Sequence, residues 1–315
     1  MAKRIFVSGS MAYDRIMDFP GRFADHILPE KIHVINLSFV VNDMVERPGG
    51  TAGNIAYALK LLGEEPTIVA TIGRDYHQYF KWMQEHGIST AGLKVIETEP
   101  TASAFITTDQ ADNQITGFNP GAMKERTHLD FSKVDPRESI AIIAAGNTGD
   151  MAGYAEECRK HKVDFIFDPA QSLPAWTGHD LAKALDGARV LIANDYEMEL
   201  VKTKTGMGVP QLLNRTEALI ITKGENGSVV VTKEAQTHVP VAKLLKPAID
   251  PTGAGDAFRA GVIKALLEGH SLIEGCRLGA VCAAYVVEVK GTQEYTFTPA
   301  EFQSRYATTF GAHSA

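Results

Sequence analysis

Short apolar runs alternate with amphipathic stretches along most of the chain. Arg4-Ile5-Phe6-Val7-Ser8-Gly9 reads as a buried strand that ends on glycine. Further apolar runs of strand length lie at 67–72, 140–144, 164–167, 190–193 and 218–221. Helical periodicity appears between them, at 54–62, 76–86, 151–161 and 197–204. Strand and helix in alternation imply right-handed βαβ units and a mainly parallel sheet. Beyond the strand-like piece at 228–232 the pattern turns helical, at 254–267 and 272–287.

Two segments depart from this rhythm. Residues 31–41 set Ile32, Val34, Leu37, Phe39 and Val41 among polar residues, which predicts a half-exposed strand. Residues 101–108 are rich in β-branched and aromatic side chains, a polar turn follows at 109–113, and 114–118 is strand-like again. That is a hairpin pattern. With no repeat or linker in view, the chain reads as one α/β body over 1–315, with a small β lid built from insertions at about 12–46 and 99–122.

Composition narrows the function. Of 315 residues, 44% are hydrophobic and 22% charged, enough apolar surface for a packed core and too much for a disordered chain. A net charge of −7 and a pI near 5.8 argue against nucleic acid as a partner, because phosphate backbones need a basic face. A local pocket for one small phosphate ligand is still compatible with that charge. Cys158, Cys276 and Cys282 form no C-x-x-C pair, which disfavours both a disulfide framework and structural zinc. The opening residues run straight into a strand without a signal-peptide pattern, and no stretch approaches the ~20 apolar residues that span a bilayer. The expectation is a cytoplasmic protein without a membrane partner.

The segment with most chemical content is Ile249-Asp250-Pro251-Thr252-Gly253-Ala254-Gly255-Asp256-Ala257-Phe258. Small residues let a backbone approach a ligand, and a helix N-terminus adds unpaired N–H groups with partial positive charge. Such a turn suits phosphate, or charge that develops during phosphoryl transfer. Asp256 stands where a carboxylate would face the same spot and receive a hydroxyl proton. A helix N-terminus also lowers a carboxyl pKa and so weakens a base, which is tolerable when the proton moves late. The bland reading is an N-capping Asp in a glycine-rich turn. A second segment, Pro48-Gly49-Gly50-Thr51-Ala52-Gly53-Asn54, again leads small residues into a helix. The amides of Gly49 and Gly50 and the Asn54 side chain suit sugar hydroxyls; the bland reading is a capped tight turn. Asp168, at the end of the 164–167 strand, reads as a strand-end cap in preference to a residue beside a nucleotide site.

GGTAGNIAYALKLLG at 49–63 and DPTGAGDAFRAG at 250–261 resemble the two signatures of the ribokinase-like carbohydrate kinase (PfkB) family. Asn194-Asp195-Tyr196-Glu197 is similar to the family's N-x-x-E element, and Thr222-Lys223-Gly224-Glu225-Asn226-Gly227 to its nucleotide loop. Four short motifs in the right order make the resemblance cover essentially the whole chain. It implies a three-layer α/β/α sandwich with a mainly parallel central sheet and a β-sheet lid. It implies ATP and a small nucleoside or sugar as partners, and Mg²⁺ as the metal that accompanies ATP. Residue by residue, it makes Asp256 the base and Gly253, Ala254 and Gly255, with the Asp256 amide, the anion hole. Asp14 would bind a vicinal diol together with Gly49, Gly50 and Asn54, each carboxylate oxygen accepting one hydroxyl proton. Asn194, Thr222, Gly224 and Gly227 would line the ATP site, and Glu197 would reach Mg²⁺ through water. Phe105 and Phe118 on the lid hairpin would cover a base or ring, or else pack lid against body. Asp250 and Thr252 would hold a K⁺ ion, although Pro251 stands between them where many members carry threonine or cysteine.

Other motif classes are missing. No G-x-x-x-x-G-K-[ST] sequence occurs, and 253–258 lacks the third glycine of a dinucleotide fingerprint. The stretch Phe19-Pro20-Gly21-Arg22-Phe23-Ala24-Asp25 and the Asp250-Pro251-Thr252 variant resemble the adenosine and nucleoside kinase branch. Apolar lid residues suit a base, whereas a plain sugar needs more polar partners. A phosphorylated acceptor is disfavoured, because the lid has few arginines to grip a second phosphate, Arg15, Arg22 and Arg47 being the nearest. A ribokinase- or fructokinase-type sugar kinase is the alternative. A non-catalytic sugar or nucleoside sensor on the same fold is another, since fold does not fix function. Either a monomer or a homodimer joined through lids fits the sequence.

Overall fold

The computed structural model describes residues 4–27, 33–34, 37–111 and 113–311. Among these, nine strands form one large sheet. Seven of them, in spatial order, are β11 (Ala218–Thr222), β10 (Val190–Asn194), β9 (Asp164–Phe167), β8 (Ser139–Ile143), β1 (Arg4–Ser8), β4 (Pro66–Gly73) and β5 (Leu93–Ile96), all parallel to their neighbours. Two antiparallel strands, β12 (Ser228–Val231) and β13 (Gln236–Val239), extend it beyond β11.

Strand side chains alternate between two cores, as the period of two requires. Ile5, Val7, Ile140, Ile142, Val190 and Ile192 point to one face, against α1 (Thr51–Leu61), α2 (His77–Glu85), α7 (Ala254–Glu268), α8 (Leu272–Val287) and α9 (Pro299–Phe310). Phe6, Ala141, Ile143, Phe165, Phe167 and Leu191 point to the other, against α3 (Thr148–His161), α4 (Gly178–Leu185), α5 (Asp195–Thr205) and α6 (Val209–Leu213). The mainly parallel sheet is the one that the strand–helix alternation predicts, and the three layers are those that the family resemblance implies. The predicted strands and helices of the body are present with ends shifted by one to three residues. No described helix is long and apolar enough to cross a membrane.

A smaller sheet contains β3 (Met44–Gly49), β2 (Ala12–Asp18), β6 (Ala102–Thr108) and β7 (Gln114–Asn119), in that order. The β6–β7 hairpin is the one read from the sequence, with Ala104 opposite Phe118 and Phe105 opposite Gly117. The strand expected at 31–41 is not found where residues are described: 33–34 lie in a short 3-10 turn and 37–41 pair with no strand. Residues 31–32 and 35–36 fall outside the described residues, as does Asp112 of the hairpin turn. The pairing strand starts at Met44 instead, where β3 comes into antiparallel register with β2 through Asp14 opposite Arg47 and Ala12 opposite Gly49. A loose apolar scatter without strict alternation sets no register, whereas a neighbouring strand does.

Helices α7 and α8 approach backbone to backbone. A Cβ on Gly261 would stand 2.2 Å from the amide nitrogen of Gly279. Gly261→Ala is expected to lower the unfolding free energy by about 1–3 kcal/mol through overpacking. Denaturant unfolding monitored by circular dichroism checks this; an unchanged midpoint would show that the two helices can separate without penalty.

Candidate active site

The site forms where β1, α1 and α7 meet the C-terminal ends of the parallel strands. Gly50 caps α1 with φ 86°, and a Cβ there would lie 2.5 Å from the Ser10 carbonyl oxygen, so the turn demands glycine. Gly49 precedes it, and a Cβ on Gly49 would meet Asp14 Oδ2 at 2.5 Å. Asp14 therefore lies directly over the turn. Its carboxylate accepts no hydrogen bond from the described residues, and burial, reinforced by the Asp250 charge, pushes its pKa up to about 6.

One turn into α1, buried Asn54 reaches across to α7. Its Nδ2 donates to Asp256 Oδ2 at 2.8 Å, and its Oδ1 accepts from Gln293 Nε2 at 2.7 Å. Gln293 Nε2 also donates to the Tyr79 hydroxyl at 3.3 Å, and that hydroxyl donates to the Gly49 carbonyl at 2.8 Å. Gln293 and Tyr79 escape sequence reading because they lie outside every motif.

Asp256 occupies the first turn of α7, after Gly253 with φ 82°. The Ala254 N–H donates to the Pro251 carbonyl at 3.2 Å, so of the expected anion-hole donors Ala254 is already engaged. The N–H groups of Gly255 and Asp256 have no protein acceptor among the described residues, as the opening turn of a helix leaves them. Burial pushes the Asp256 carboxyl up to about 7; the Arg259 charge and the Asn54 hydrogen bond pull it down, while Asp168 and Asp14 push it further up. Desolvation thus outweighs the Arg259 charge and the Asn54 hydrogen bond.

Asp168 is not a strand-end cap. Arg259, on the next turn of α7, donates to it through Nε at 2.6 Å and Nη2 at 2.8 Å, and both side chains are buried. The sequence contains no signal for this pair, since 91 residues separate its members.

Beside Asp256 opens a cavity of about 870 Å³, lined by Asn194, Glu197, Thr222, Gly224 and Gly227 together with Asp250 and the 253–256 turn. Asn194 and Glu197 form a capping box on α5: Asn194 Oδ1 accepts from the Glu197 N–H at 2.7 Å, and Glu197 Oε2 accepts from the Asn194 N–H at 2.8 Å. Glu197 Oε1 is left over and the carboxyl pKa is raised, chiefly by burial. No cluster of three or more His, Cys, Asp or Glu side chains that would hold a metal occurs among the described residues. Mg²⁺ needs none when one or two carboxylates, waters and substrate phosphates complete its shell, and Glu197 Oε1 fits that demand. Asp250 Oδ1 accepts from the Thr252 N–H at 2.9 Å and Oδ2 from the Gly291 N–H at 3.1 Å.

The two phenylalanines part company. In the small sheet Asp14 is in register with Ala104, and Ala104 with Phe118, so Phe118 shares the face of Asp14. Phe105 is in register with Arg15 and lies on the opposite face, with the Arg15 guanidinium 5.2 Å from its ring centroid. Odd and even positions of a strand cannot face one ligand together.

These elements belong to a kinase family. The chain is a member of the pfkB family of carbohydrate kinases, whose model matches residues 9–299. The nucleoside kinase of Burkholderia thailandensis, solved in complex with inosine, is 37% identical, covers 98% of this chain and 99% of its own, and superposes with a TM-score of 0.84. The nucleoside kinase of Methanocaldococcus jannaschii, an archaeal member of the ribokinase family, has a TM-score of 0.86 at 30% identity, covering 98% of this chain and all of its own (100%). The curated nucleoside kinase from the same archaeon is 33% identical over 84% of this chain and 87% of its own length. The fold is therefore ribokinase-like.

The raised pKa of Asp256 has a consequence for stability. An unfolded Asp titrates near 3.9, so between about pH 4 and 7 the native state binds the extra proton and loses stability as pH rises. Asp256→Asn removes that burden. The variant is expected to melt above the unaltered protein at about pH 8 and level with it at about pH 4. Thermal unfolding of both proteins across this range checks the sign; equal melting points throughout would mean that the carboxylate is not held at a desolvation cost.

Proposed function

We propose that the protein is an ATP-dependent nucleoside kinase that transfers the γ-phosphoryl group to the 5′-hydroxyl of a nucleoside, adenosine first among them. The observation that carries this reading is the placement of the Asp256 carboxyl. It stands between unpaired helix-terminal N–H groups and the Asp14–Gly49–Asn54 cluster, at the end of a cavity of about 870 Å³.

ATP lies along the cavity, its phosphates toward the 253–256 turn. Val241, Leu244 and Ile249 expose apolar surface beside that cavity, which a purine ring would cover. Asp14, with both carboxylate oxygens open, takes the ribose diol, and Phe118, 53% exposed on the same face, covers the base. The small sheet is the lid that excludes water from the transfer. Asp256 accepts the proton of the 5′-hydroxyl, while the amides of Gly255 and Asp256 meet the charge on the phosphoryl oxygens. Gly253 shapes the turn, and Ala254 contributes its small side chain rather than its bonded N–H. Mg²⁺, when bound near Glu197, neutralises phosphate charge. Asp250 and Thr252 are the place for a K⁺ ion. The inosine complex of the Burkholderia relative supports a purine nucleoside as acceptor.

A coupled ADP-release assay with adenosine, inosine, cytidine, ribose and fructose tests the reading. Nucleosides are expected to turn over faster than either sugar. Asp256→Asn should lower kcat by about 10²–10⁴-fold, the range for a lost general base, with nucleoside binding retained. Faster turnover of ribose or fructose would make the protein a sugar kinase. Tight binding with no turnover of any acceptor would make it a sensor.

A further inference from the structure

Around the nucleotide cavity the charges are one-sided. Asp195, Glu197, Glu225, Asp250 and Asp256 contribute carboxylates, and among the described lining residues Arg259 is the one cationic side chain. A site for a triphosphate with a single fixed cation places a heavy electrostatic demand on that cation. Its geometry is suited to the demand. Asp168 engages Nε and Nη2 in a two-pronged pair that holds the plane of the guanidinium. Asp168 is itself fixed, its N–H donating to the Ile143 carbonyl at 2.9 Å. Nη1 donates to no protein acceptor among the described residues. It lies 2.6 Å from where a Cβ on Gly255 would stand, directly beside the turn whose amides face the cavity. Position 255 is thus glycine in this chain for a steric reason as well as for its N–H: a side chain would displace the guanidinium.

We propose that Arg259 is a catalytic residue, its Nη1 donating to an oxygen of the γ-phosphoryl group during transfer, with Asp168 as the residue that positions it. The proposal rests on the kinase reading above. In the step, the acceptor hydroxyl oxygen forms a bond to the γ-phosphorus. The bond from that phosphorus to the bridging oxygen breaks, with its electron pair going to ADP. The hydroxyl proton passes to Asp256, and Arg259 keeps its own protons throughout. In the transition state the charge of the transferring group is spread over its three equatorial oxygens, now held in a plane, and a cation fixed in advance in a water-poor site matches that arrangement better than it matches bound ATP.

A buried pair that merely ties α7 to the end of β9 would predict something different, and two variants separate the cases. Arg259→Lys keeps the charge but loses the two-pronged fit. The double variant Asp168→Leu with Arg259→Met removes both charges together and leaves neither buried ion unpaired. For each, kcat, the KM values for ATP and adenosine, and the affinities for ADP alone and for ADP with Mg²⁺, adenosine and aluminium fluoride are measured. The expected result is a loss of about 10²–10³-fold in kcat for the double variant and a smaller loss for Arg259→Lys. Affinity for the aluminium fluoride complex should fall by a similar factor while ADP affinity and both KM values hold. A lowered melting point with the ratio of the two affinities unchanged would overturn the proposal and leave a structural pair. Should the double variant not fold, the same ratio measured on Arg259→Lys decides. A wild-type protein without turnover would sink the kinase reading itself, whereas an active wild type with an unimpaired Arg259→Lys would sink only the role of Arg259.

Discussion

Asn54 and Asp256 lie 202 residues apart and meet through one hydrogen bond of 2.8 Å. That bond joins the first turn of α1 to the first turn of α7, and with them the two glycine-rich segments. Its direction is imposed from behind. The Gly49 carbonyl must receive the Tyr79 hydroxyl proton, so the Tyr79 oxygen is left to accept from Gln293. The second N–H of that amide goes to Asn54 Oδ1, and the Asn54 amide can then only donate to Asp256. The cost is carried by Gln293 Oε1, a buried acceptor without a partner among the described residues. A buried polar network of this kind specifies one arrangement because a flipped amide would set like atoms against each other.

The second constraint is electrostatic. Asp168 acts on both Asp256 and Glu197, Asp14 acts on Asp256, and Arg259 is the countercharge among Asp168, Asp256 and Glu197. Helix-terminal stabilisation is worth about 0.3–1 kcal/mol when exposed, and a hydrogen bond to a charged group about 1.5–3 kcal/mol. At Asp256 burial outweighs the Arg259 charge and the Asn54 hydrogen bond, and the carboxyl ends near 7. A base is most useful when its pKa lies near the working pH. The carboxyl of Asp168, spent wholly on Arg259, is unavailable for that task.

Much of this was legible in the chain. The parallel sheet announced itself through apolar runs such as 140–144 and 190–193, since a strand buried on both faces must be apolar throughout. The glycine turns were legible because Gly50 and Gly253 answer to backbone demands that few residues meet. Helix α9 went unread because its apolar pattern is weak, and the capping box of Thr298 and Glu301 with Pro299 at its start is seen in the structure. What else escaped was long-range. Arg259 and Asp168, Gln293 and Asn54 are pairs that only the folded chain brings together. The opposite facing of Phe105 and Phe118 likewise depends on register, which a hairpin pattern alone does not reveal. Free N–H groups at Gly255 and Asp256 were foreseeable from a helix start, but the engagement of Ala254 with Pro251 was not.

In the proposed arrangement Asp256 aims a hydroxyl at phosphorus and takes its proton, without forming a bond to phosphorus itself. The stereochemical course at the transferred group examines that claim most directly. ATP made chiral at its γ-phosphorus with oxygen isotopes would be turned over with a nucleoside, and the configuration of the product phosphate determined. A single in-line displacement predicts inversion. Retention would require two displacements through a phosphorylated enzyme, with Asp256 as a nucleophile in place of a base, and would contradict the account.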